Sequence, residues 1–149
     1  MKKILVALLI VALTITGCSL MDSKKNKRPK EFASGLILNY KSTAAYGTVD
    51  RPYYEINLYA NKHITAGYSN LDGFSDKELT DEQFQKIVDY INSDKFLSLK
   101  EDLTDHAILD GTSTSIVIYY ADGTTFKTGG FNVSNPTYNG LIELLNEYK

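Results

Sequence analysis

A short acidic segment holds the residue types best suited to catalysis or metal binding. His106 lies among Asp102, Asp105 and Asp110, so three carboxylates and one imidazole fall within nine residues. Groups of this kind can ligate a metal ion or transfer protons. The spacing matches no established ligand pattern, and the alternating acids of an EF-hand loop are missing. We therefore expect a solvated acidic loop without a metal ion, with a small hydrolase centred on His106 as the alternative.

Other catalytic and phosphate-binding patterns give little support for an enzyme. The G-x-S-x-G motif that presents a catalytic serine does not occur in the sequence. Gly129-Gly130 follows a predicted strand but lacks the lysine and the serine of a phosphate-binding loop. His63 comes just after a predicted turn, where we expect an exposed side chain. The sequence thus predicts a non-enzymatic protein with no cofactor.

Tyrosine is common, with eleven residues, whereas tryptophan is absent. Tyr59 and Tyr119 lie on predicted strands, and an exposed tyrosine can pack against sugars or peptides. We therefore take them as the candidate binding face for a protein or glycan partner. Cross-strand packing on an open face is the alternative. Ile116 and Ile118 alternate with Tyr119, and we expect the isoleucines in the core because they lose more by staying in water.

The only cysteine, Cys18, follows a pattern that indicates export from the cytoplasm. Lys2 and Lys3 precede an apolar run over residues 4–15, and Gly17 comes directly before the cysteine. As a helix the run would span about 18 Å, at ~1.5 Å per residue, which is short of the ~30 Å apolar core of a bilayer. A charged start, a short apolar run and a small residue are typical of a cleaved signal peptide.

The segment Ile15-Thr16-Gly17-Cys18 resembles the lipobox that ends a bacterial lipoprotein signal peptide. The resemblance covers residues 1–18. It implies that Cys18 receives a thioether-linked diacylglycerol and becomes the mature N-terminus once residues 1–17 are removed. It also implies a protein anchored outside the cytoplasm on the cell membrane, or on an outer membrane where one exists. Two acyl chains would hold it stably, at about 0.8 kcal/mol per buried CH₂. An uncleaved anchor and an ordinary secretory signal are the alternatives.

Charge divides the rest of the chain into two parts. Residues 18–33 are polar with a net charge of +3, which predicts a flexible basic tether behind the lipid. Basic residues beside a lipid anchor are attracted to anionic headgroups. Residues 34–149 carry a net charge of −7 and are long enough for a single globular domain. The acidic domain argues against nucleic acid as a partner, and no oligomeric state is indicated.

The hydrophobic pattern of residues 34–149 predicts an α+β fold. The predicted strands are 36–40, 54–60, 63–68, 115–120 and 124–128. Helix starts are indicated by Thr80 with Gln83 and by Asn135-Pro136. We expect an antiparallel sheet of about five strands with two helices on one face, in the order β-ββ-α-ββ-α. This layout resembles small bacterial lipoprotein domains of no known activity.

Both predicted hairpins carry a similar turn sequence. Asp122-Gly123 predicts a two-residue turn of type I′, in which both residues have a positive φ. Residues 58–63 parallel residues 119–124, and each segment is followed by a glycine-aromatic pair and a capped helix. The pattern leaves two alternatives open, a duplicated ββα unit and two ordinary hairpins.

These patterns predict a lipid-anchored envelope protein whose domain binds a partner without catalysis. The alternatives are the small hydrolase and an inhibitor of a secreted enzyme, for which a compact acidic domain on a tether would suit. A binding protein should show exposed tyrosines on one face. An enzyme should instead hold His106 in a concave pocket, within hydrogen-bond reach of a carboxylate or hydroxyl.

Overall fold

The structure is a computed structural model that describes residues 31–44, 53–69, 73–107 and 111–149. The elements in these ranges are β1 (Leu36–Ala44), β2 (Tyr54–Tyr59), β3 (His63–Tyr68), β4 (Ser75–Glu78), α1 (Asp81–Asn92), α2 (Asp94–Leu97), β5 (Thr112–Tyr119), β6 (Thr125–Phe131) and α3 (Pro136–Tyr148). Cys18 and the predicted signal peptide lie outside the described residues.

The six strands form one antiparallel sheet in the order β4-β3-β2-β1-β5-β6. Tyr40 in the central strand β1 pairs with Ile56 of β2 and Ile116 of β5. The α+β class is confirmed, whereas the predicted five strands and two helices are corrected to six and three. The additional elements have weak sequence signals: β4 contains no apolar residue, and α2 is four residues long with Ser93 as its cap.

The helices pack against one face of the sheet, which we call the covered face. Ile56, Leu58, Ile116 and Ile118 on this face are fully buried. They share one hydrophobic cluster with the buried residues of the helices, which are Ile87, Ile91, Phe96, Tyr138, Leu141, Leu144, Leu145 and Tyr148. Burial of each large apolar side chain contributes about 1.5–3 kcal/mol. The prediction that Ile116 and Ile118 face the core is confirmed.

Both long helices begin where their capping residues predict. The Thr80 hydroxyl accepts from Gln83 N–H at 3.2 Å, and Thr80 N–H donates to Gln83 Oε1 at 3.0 Å. This reciprocal capping box satisfies two backbone donors at the start of α1. Asn135 Oδ1 accepts from the two backbone N–H groups that follow Pro136, at 2.9 and 3.1 Å. Pro136 has no N–H and so leaves no donor unpaired at the first position of α3.

The two edges of the sheet are protected in different ways. Beside β6, residues 101–105 lie along the strand, with Leu103 N–H donating to Gly129 O at 2.8 Å and Asp105 N–H donating to Phe131 O at 2.9 Å. At the other edge, the four residues of β4 are all exposed and three of them are charged. Charged side chains on a short edge strand oppose pairing with another chain. Neither edge therefore offers an open template to an extended partner.

The turn between β5 and β6 has three loop residues rather than the two predicted. Gly123 N–H donates to Tyr120 O, and Tyr120 N–H donates to Thr124 O, both at 3.0 Å. Within this turn only Gly123 has a positive φ, of 81°, whereas type I′ requires two such residues. The turn is therefore the wider kind with a glycine bulge. Asp122 Oδ1 accepts from Thr124 N–H at 2.9 Å and so stabilises it.

Gly123→Ala should lower the free energy of unfolding by about 1 kcal/mol, because a Cβ atom is strained at positive φ. A Cβ at this position would meet no atom within 4 Å, so the loss is conformational. Gly35→Ala is the matched control, since Gly35 also has open space but no positive φ. Urea denaturation of both variants measures the difference. Equal losses in the two variants would contradict the assigned turn.

The turn between β2 and β3 has the same hydrogen bond and positive φ as the β5–β6 turn. Lys62 has the positive φ, of 66°, and its N–H donates to the carbonyl three residues earlier at 3.0 Å. Asn61 Oδ1 accepts from His63 N–H at 3.4 Å. The two hairpins nevertheless differ in which of their residues face the helices. Leu58 is buried, whereas Tyr119, its counterpart in the sequence alignment of the two hairpins, is partly exposed. The similarity therefore lies in the turns, since a duplicated ββα unit would place equivalent residues on the same face.

The chain joins the sheet before residue 34, the predicted start of the domain. Ala33 N–H donates to Tyr119 O at the end of β5, and Ala121 N–H in the following turn donates to Glu31 O, both at 3.1 Å. The Phe32 ring stacks on the Tyr120 ring, with centroids 5.9 Å apart. These three residues, which the sequence assigns to the tether, therefore belong to the fold.

Candidate binding face

The uncovered face of the sheet, opposite the helices, carries a row of polar and aromatic side chains. Side chains alternate along a strand, and Ile56 and Leu58 of β2 are buried on the covered face. The residues that β2 and its preceding residue direct to the uncovered face are Tyr53, Glu55, Asn57 and Tyr59. Pairing of β1 with β2 places Asn39 opposite Asn57 and Lys41 opposite Glu55. Four polar side chains therefore meet at the centre of this face.

Asn39, Lys41, Glu55 and Asn57 form a connected group that we call the polar floor. Asn39 Nδ2 donates to Asn57 Oδ1 at 2.7 Å and also donates to Glu55 Oε1. Lys41 Nζ lies 3.7 Å from the same oxygen of Glu55. Hydrogen bonds to charged groups contribute about 1.5–3 kcal/mol each. The network therefore holds these side chains in defined positions.

The two asparagines of the polar floor are buried although no described helix covers them. Asn39 is 6% exposed and Asn57 is 8% exposed. Leaving such a buried amide unpaired would cost about 1–3 kcal/mol, which explains why the two asparagines pair with each other. At one end of the floor, Lys41 Nζ lies 4.8 Å from the centroid of the Tyr53 ring, a cation–π contact. The centre of the floor is thus ordered and largely shielded from solvent, whereas the Lys41 side chain at its end is 42% exposed.

Tyr59 and Tyr119, the predicted binding residues, flank the start of β1. Tyr59 pairs with Leu36, and Tyr119 follows the buried Ile118, which pairs with Leu38. Both tyrosines are partly exposed, and alternation along their strands directs them to the uncovered face. The structure therefore brings two residues that are distant in sequence to the same end of the sheet, with β1 between them.

The amino-acid sequence alone does not identify the polar floor. Its signal is the alternation of polar residues around Tyr40 in β1 and around Ile56 in β2. In a single strand this alternation is typical of an ordinary solvent-facing side. It indicates a site only after β1 and β2 are paired in register, and the sequence of either strand alone does not determine that register.

Phe74 borders the uncovered face beside the polar floor. Gly67 of β3 pairs with Glu55, and a Cβ atom on Gly67 would lie 3.2 Å from Cγ of Phe74. The Phe74 side chain is 41% exposed. The missing side chain at Gly67 therefore leaves room for an exposed aromatic ring next to Glu55.

The His63 side chain is less exposed than the sequence predicts. Its side chain is 37% exposed, and Nδ1 is 2.8 Å from Oδ1 of Asp76 in the edge strand. An exposed pair of this kind contributes about 0–1 kcal/mol. The contact joins β3 to β4 on the uncovered face.

The acidic segment around His106 uses its carboxylates in local turns. Asp102 Oδ1 accepts from the backbone N–H of Thr104 at 2.9 Å and from its hydroxyl at 2.5 Å. Asp105 Oδ1 accepts from the backbone N–H two residues later at 2.9 Å. His106 is exposed, and Asp110 lies outside the described residues. Across the described ranges, no three His, Cys, Asp or Glu side chains are grouped to hold a metal ion.

Thr104→Ala should raise the pKa of Asp102. The hydroxyl of Thr104, followed by its backbone N–H, holds the pKa of Asp102 below its ordinary value of 3.8. A lowered pKa in the folded state favours folding above the unfolded pKa, and this contribution is lost as the pH falls through the folded pKa. NMR titration of the Asp102 carboxyl carbon measures the shift.

Thr124→Ala is the matched control for this titration. Its hydroxyl lowers the pKa of Asp122 in the β5–β6 turn by the same kind of bond. The control should therefore raise the pKa of Asp122 and leave that of Asp102 unchanged. An unaltered pKa of Asp102 in Thr104→Ala would show that the hydroxyl bond is absent in solution.

Comparison with known proteins does not assign the chain to a family. No family model matches the sequence, and a search of the curated proteins gives no match. Among the helices of the described ranges, none is long and apolar enough to cross a bilayer. The function is therefore inferred from the geometry of the uncovered face and from the N-terminal sequence.

Proposed function

We propose that this chain is a lipid-anchored protein of the bacterial envelope whose domain binds a partner through the uncovered face, without catalysis. The observation that carries the proposal is the polar floor, in which Asn39 and Asn57 are hydrogen-bonded and 6% and 8% exposed on a face without a described helix. Polar groups that are fixed before a ligand arrives lower the entropic cost of binding. Tyr59 and Tyr119 add aromatic surface beside the floor.

Other surfaces of the domain offer less to a partner. The covered face is filled by the helices. Residues 101–105 already occupy the β6 edge, and the exposed, charged β4 strand opposes addition of another strand. Of the broad surfaces of the sheet, the uncovered face is the one that combines ordered polar groups with aromatic rings.

The carboxylates nearest His106 support a binding role over the hydrolase alternative. Asp102 and Asp105 both accept hydrogen bonds from neighbours in the chain. Oδ1 of each carboxylate is therefore engaged in a local turn, which fixes the orientation of the side chain within the loop. His106 itself is exposed, which differs from the enclosed setting of a typical catalytic histidine.

The anchor is supported by the resemblance of residues 15–18 to a lipobox. The fold takes up the chain at Glu31, so residues 19–30 would separate the lipid on Cys18 from the domain. A flexible segment of this length has a mean reach of about 20 Å, at ~5–6 Å × √n. The domain would therefore meet partners within a short distance of the bilayer.

Cys18→Ala should abolish lipidation and signal removal. Wild-type protein from cells should partition into detergent, and its mass should show an N-terminal diacylated cysteine with residues 1–17 absent. The variant should stay unprocessed or be released, because it has no thiol to carry the lipid. Mass spectrometry of both proteins decides the point. An intact, lipid-free Met1 terminus on the wild-type protein would contradict the anchor.

Binding through the uncovered face is tested by sedimentation with isolated envelopes. Full-length lipidated protein, held in detergent so that its lipid is occupied, is mixed with envelopes from cells that lack it. We expect saturable binding that weakens about tenfold or more when Tyr59 and Tyr119 are both changed to serine, since loss of two aromatic contacts exceeds ~1.4 kcal/mol. Tyr68→Ser is the control, because Tyr68 is 47% exposed and alternates to the covered side. Equal binding by all three proteins would contradict the proposal.

A further inference from the structure

We infer that the uncovered face binds an uncharged glycan that carries acetamido groups. This inference rests on the proposed function and names the class of ligand for the same face. Three features support it: the charge balance of the polar floor, the amide atoms that the floor presents, and the position of the tyrosines.

The charges of the polar floor cancel within the floor itself. Lys41 Nζ lies 3.7 Å from Glu55 Oε1, and the same carboxylate accepts from Asn39. Toward the β4 edge, His63 Nδ1 lies 2.8 Å from Asp76 Oδ1. A charged group at the centre would have to compete with the Lys41–Glu55 pair. The exposed Lys127 of β6 lies on the same face beyond Val117. At the centre of the face, charge complementarity therefore favours a ligand group without net charge.

The two asparagines present an amide donor and an amide acceptor side by side. Asn39 Nδ2 uses its hydrogens on Asn57 Oδ1 and on Glu55. Within the described residues, Asn39 Oδ1 and Asn57 Nδ2 form no hydrogen bond. A side-chain amide has two N–H donors on its nitrogen and two acceptor lone pairs on its oxygen. A neighbouring acceptor and donor match the N–H and C=O of a secondary amide, which is the group an acetamido sugar carries.

The tyrosines are placed to contact a chain of sugar rings. Tyr53 and Tyr59 lie at opposite ends of the polar residues of β2, and six residues of extended strand span about 20 Å at ~3.3 Å per residue. Tyr119 lies across β1 from Tyr59. An aromatic face packs against the apolar C–H side of a sugar, while the hydroxyl can pair with a sugar hydroxyl. A ligand longer than one sugar can therefore reach both the floor and its aromatic border.

An extended peptide fits these features less well. Peptides that bind sheets do so by adding a strand to an open edge. One edge of this sheet is already paired with residues 101–105, and the other is the charged strand β4. An apolar protein surface would in turn leave Asn39 Oδ1 and Asn57 Nδ2 unpaired, at a cost of about 1–3 kcal/mol each.

The test compares two oligosaccharides that differ in the acetamido group. Calorimetry measures binding of chitohexaose, made of N-acetylglucosamine, and of cellohexaose, made of glucose, to the full-length lipidated protein in detergent. Chitohexaose should bind about tenfold or more tightly than cellohexaose, because an unmade hydrogen bond to a buried amide exceeds ~1.4 kcal/mol. Asn57→Asp should reduce chitohexaose affinity by a similar factor. This change keeps an oxygen acceptor for Asn39 and replaces the Nδ2 donor by oxygen.

Two further variants keep the result interpretable. Tyr119→Ser should also weaken chitohexaose binding, and Tyr68→Ser should leave it unchanged. Circular dichroism checks that each variant is folded, and Tyr119→Ser carries the test if Asn57→Asp is unfolded. Equal affinity for the two sugars would overturn the acetamido assignment. If neither sugar binds while envelope binding still depends on Tyr59 and Tyr119, the glycan inference fails and the proposed function stands.

Discussion

Gly129→Ala is expected to lower the free energy of unfolding by about 3 kcal/mol, from backbone strain and steric overlap together. Gly129 has a φ of 151°, which side chains rarely allow. Its added Cβ would lie 2.2 Å from the carbonyl oxygen of Thr114 and 2.7 Å from Cα of Ser115 in the neighbouring strand. These are backbone atoms of β5 and cannot move without disturbing the sheet.

Gly35→Ala serves again as the control, since a Cβ there meets no atom within 4 Å. Gly130→Ala should act on a different contact, because its Cβ would lie 2.6 Å from the backbone nitrogen of Thr104. That variant should detach residues 101–105 from the sheet edge, which hydrogen exchange of Leu103 N–H would report. Urea denaturation measures the stabilities. A loss at Gly129 no larger than at Gly35 would contradict the close approach of β5 and β6.

Ile118→Ala is the second change with a large expected effect, a loss of about 3 kcal/mol of unfolding free energy. Ile118 is fully buried in the core beneath the helices. The next residue, Tyr119, is directed to the uncovered face and is partly exposed. Tyr119→Ala should therefore cost less than about 1 kcal/mol.

The variants Ile118→Ala and Tyr119→Ala distinguish an effect on stability from an effect on binding at adjacent positions. Ile118→Ala should weaken envelope binding only in proportion to the fraction unfolded, whereas Tyr119→Ala should weaken it in a fully folded protein. Thermal unfolding followed by circular dichroism supplies the stability difference. A larger loss of stability from Tyr119→Ala than from Ile118→Ala would show that the two faces of β5 are assigned the wrong way round.

Elements with strong local signals could be predicted from the sequence. The capping box of Thr80 and Gln83 and the Asn135-Pro136 start depend on neighbouring residues alone, so both helix starts are predicted correctly. The alternation of Ile116 and Ile118 with Tyr119 also assigns the two faces of β5. These features need no knowledge of which strands become neighbours.

Features that depend on distant partners could not be predicted in the same way. β4 has no apolar residue and exists because it pairs with β3. The β5–β6 turn widens because Tyr120 N–H bonds to Thr124 O, although Asp122-Gly123 is equally compatible with the tighter type. The polar floor requires Asn39 and Asn57 to meet across β1 and β2. Each of these is set by register between strands rather than by local composition.

The acidic segment shows that closeness in sequence is also a poor guide to a functional site. Asp102, Asp105 and His106 are close in sequence and of chemically active types. Asp102 and Asp105 are instead engaged by nearby backbone and hydroxyl donors. Within the described ranges these residues form no group of three that could hold a metal ion, whereas the four residues of the polar floor, from two strands, do converge.

Site-specific photocrosslinking in intact cells tests the central claim most directly. A photoreactive phenylalanine analogue is placed singly at Tyr59, Tyr119 or Tyr68 of the full-length protein, and adducts are detected as mass-shifted species after illumination. Binding through the uncovered face predicts adducts from positions 59 and 119 and none from position 68, which is exposed on the covered side. Adducts from position 68 alone, or equal yields from all three positions, would contradict it.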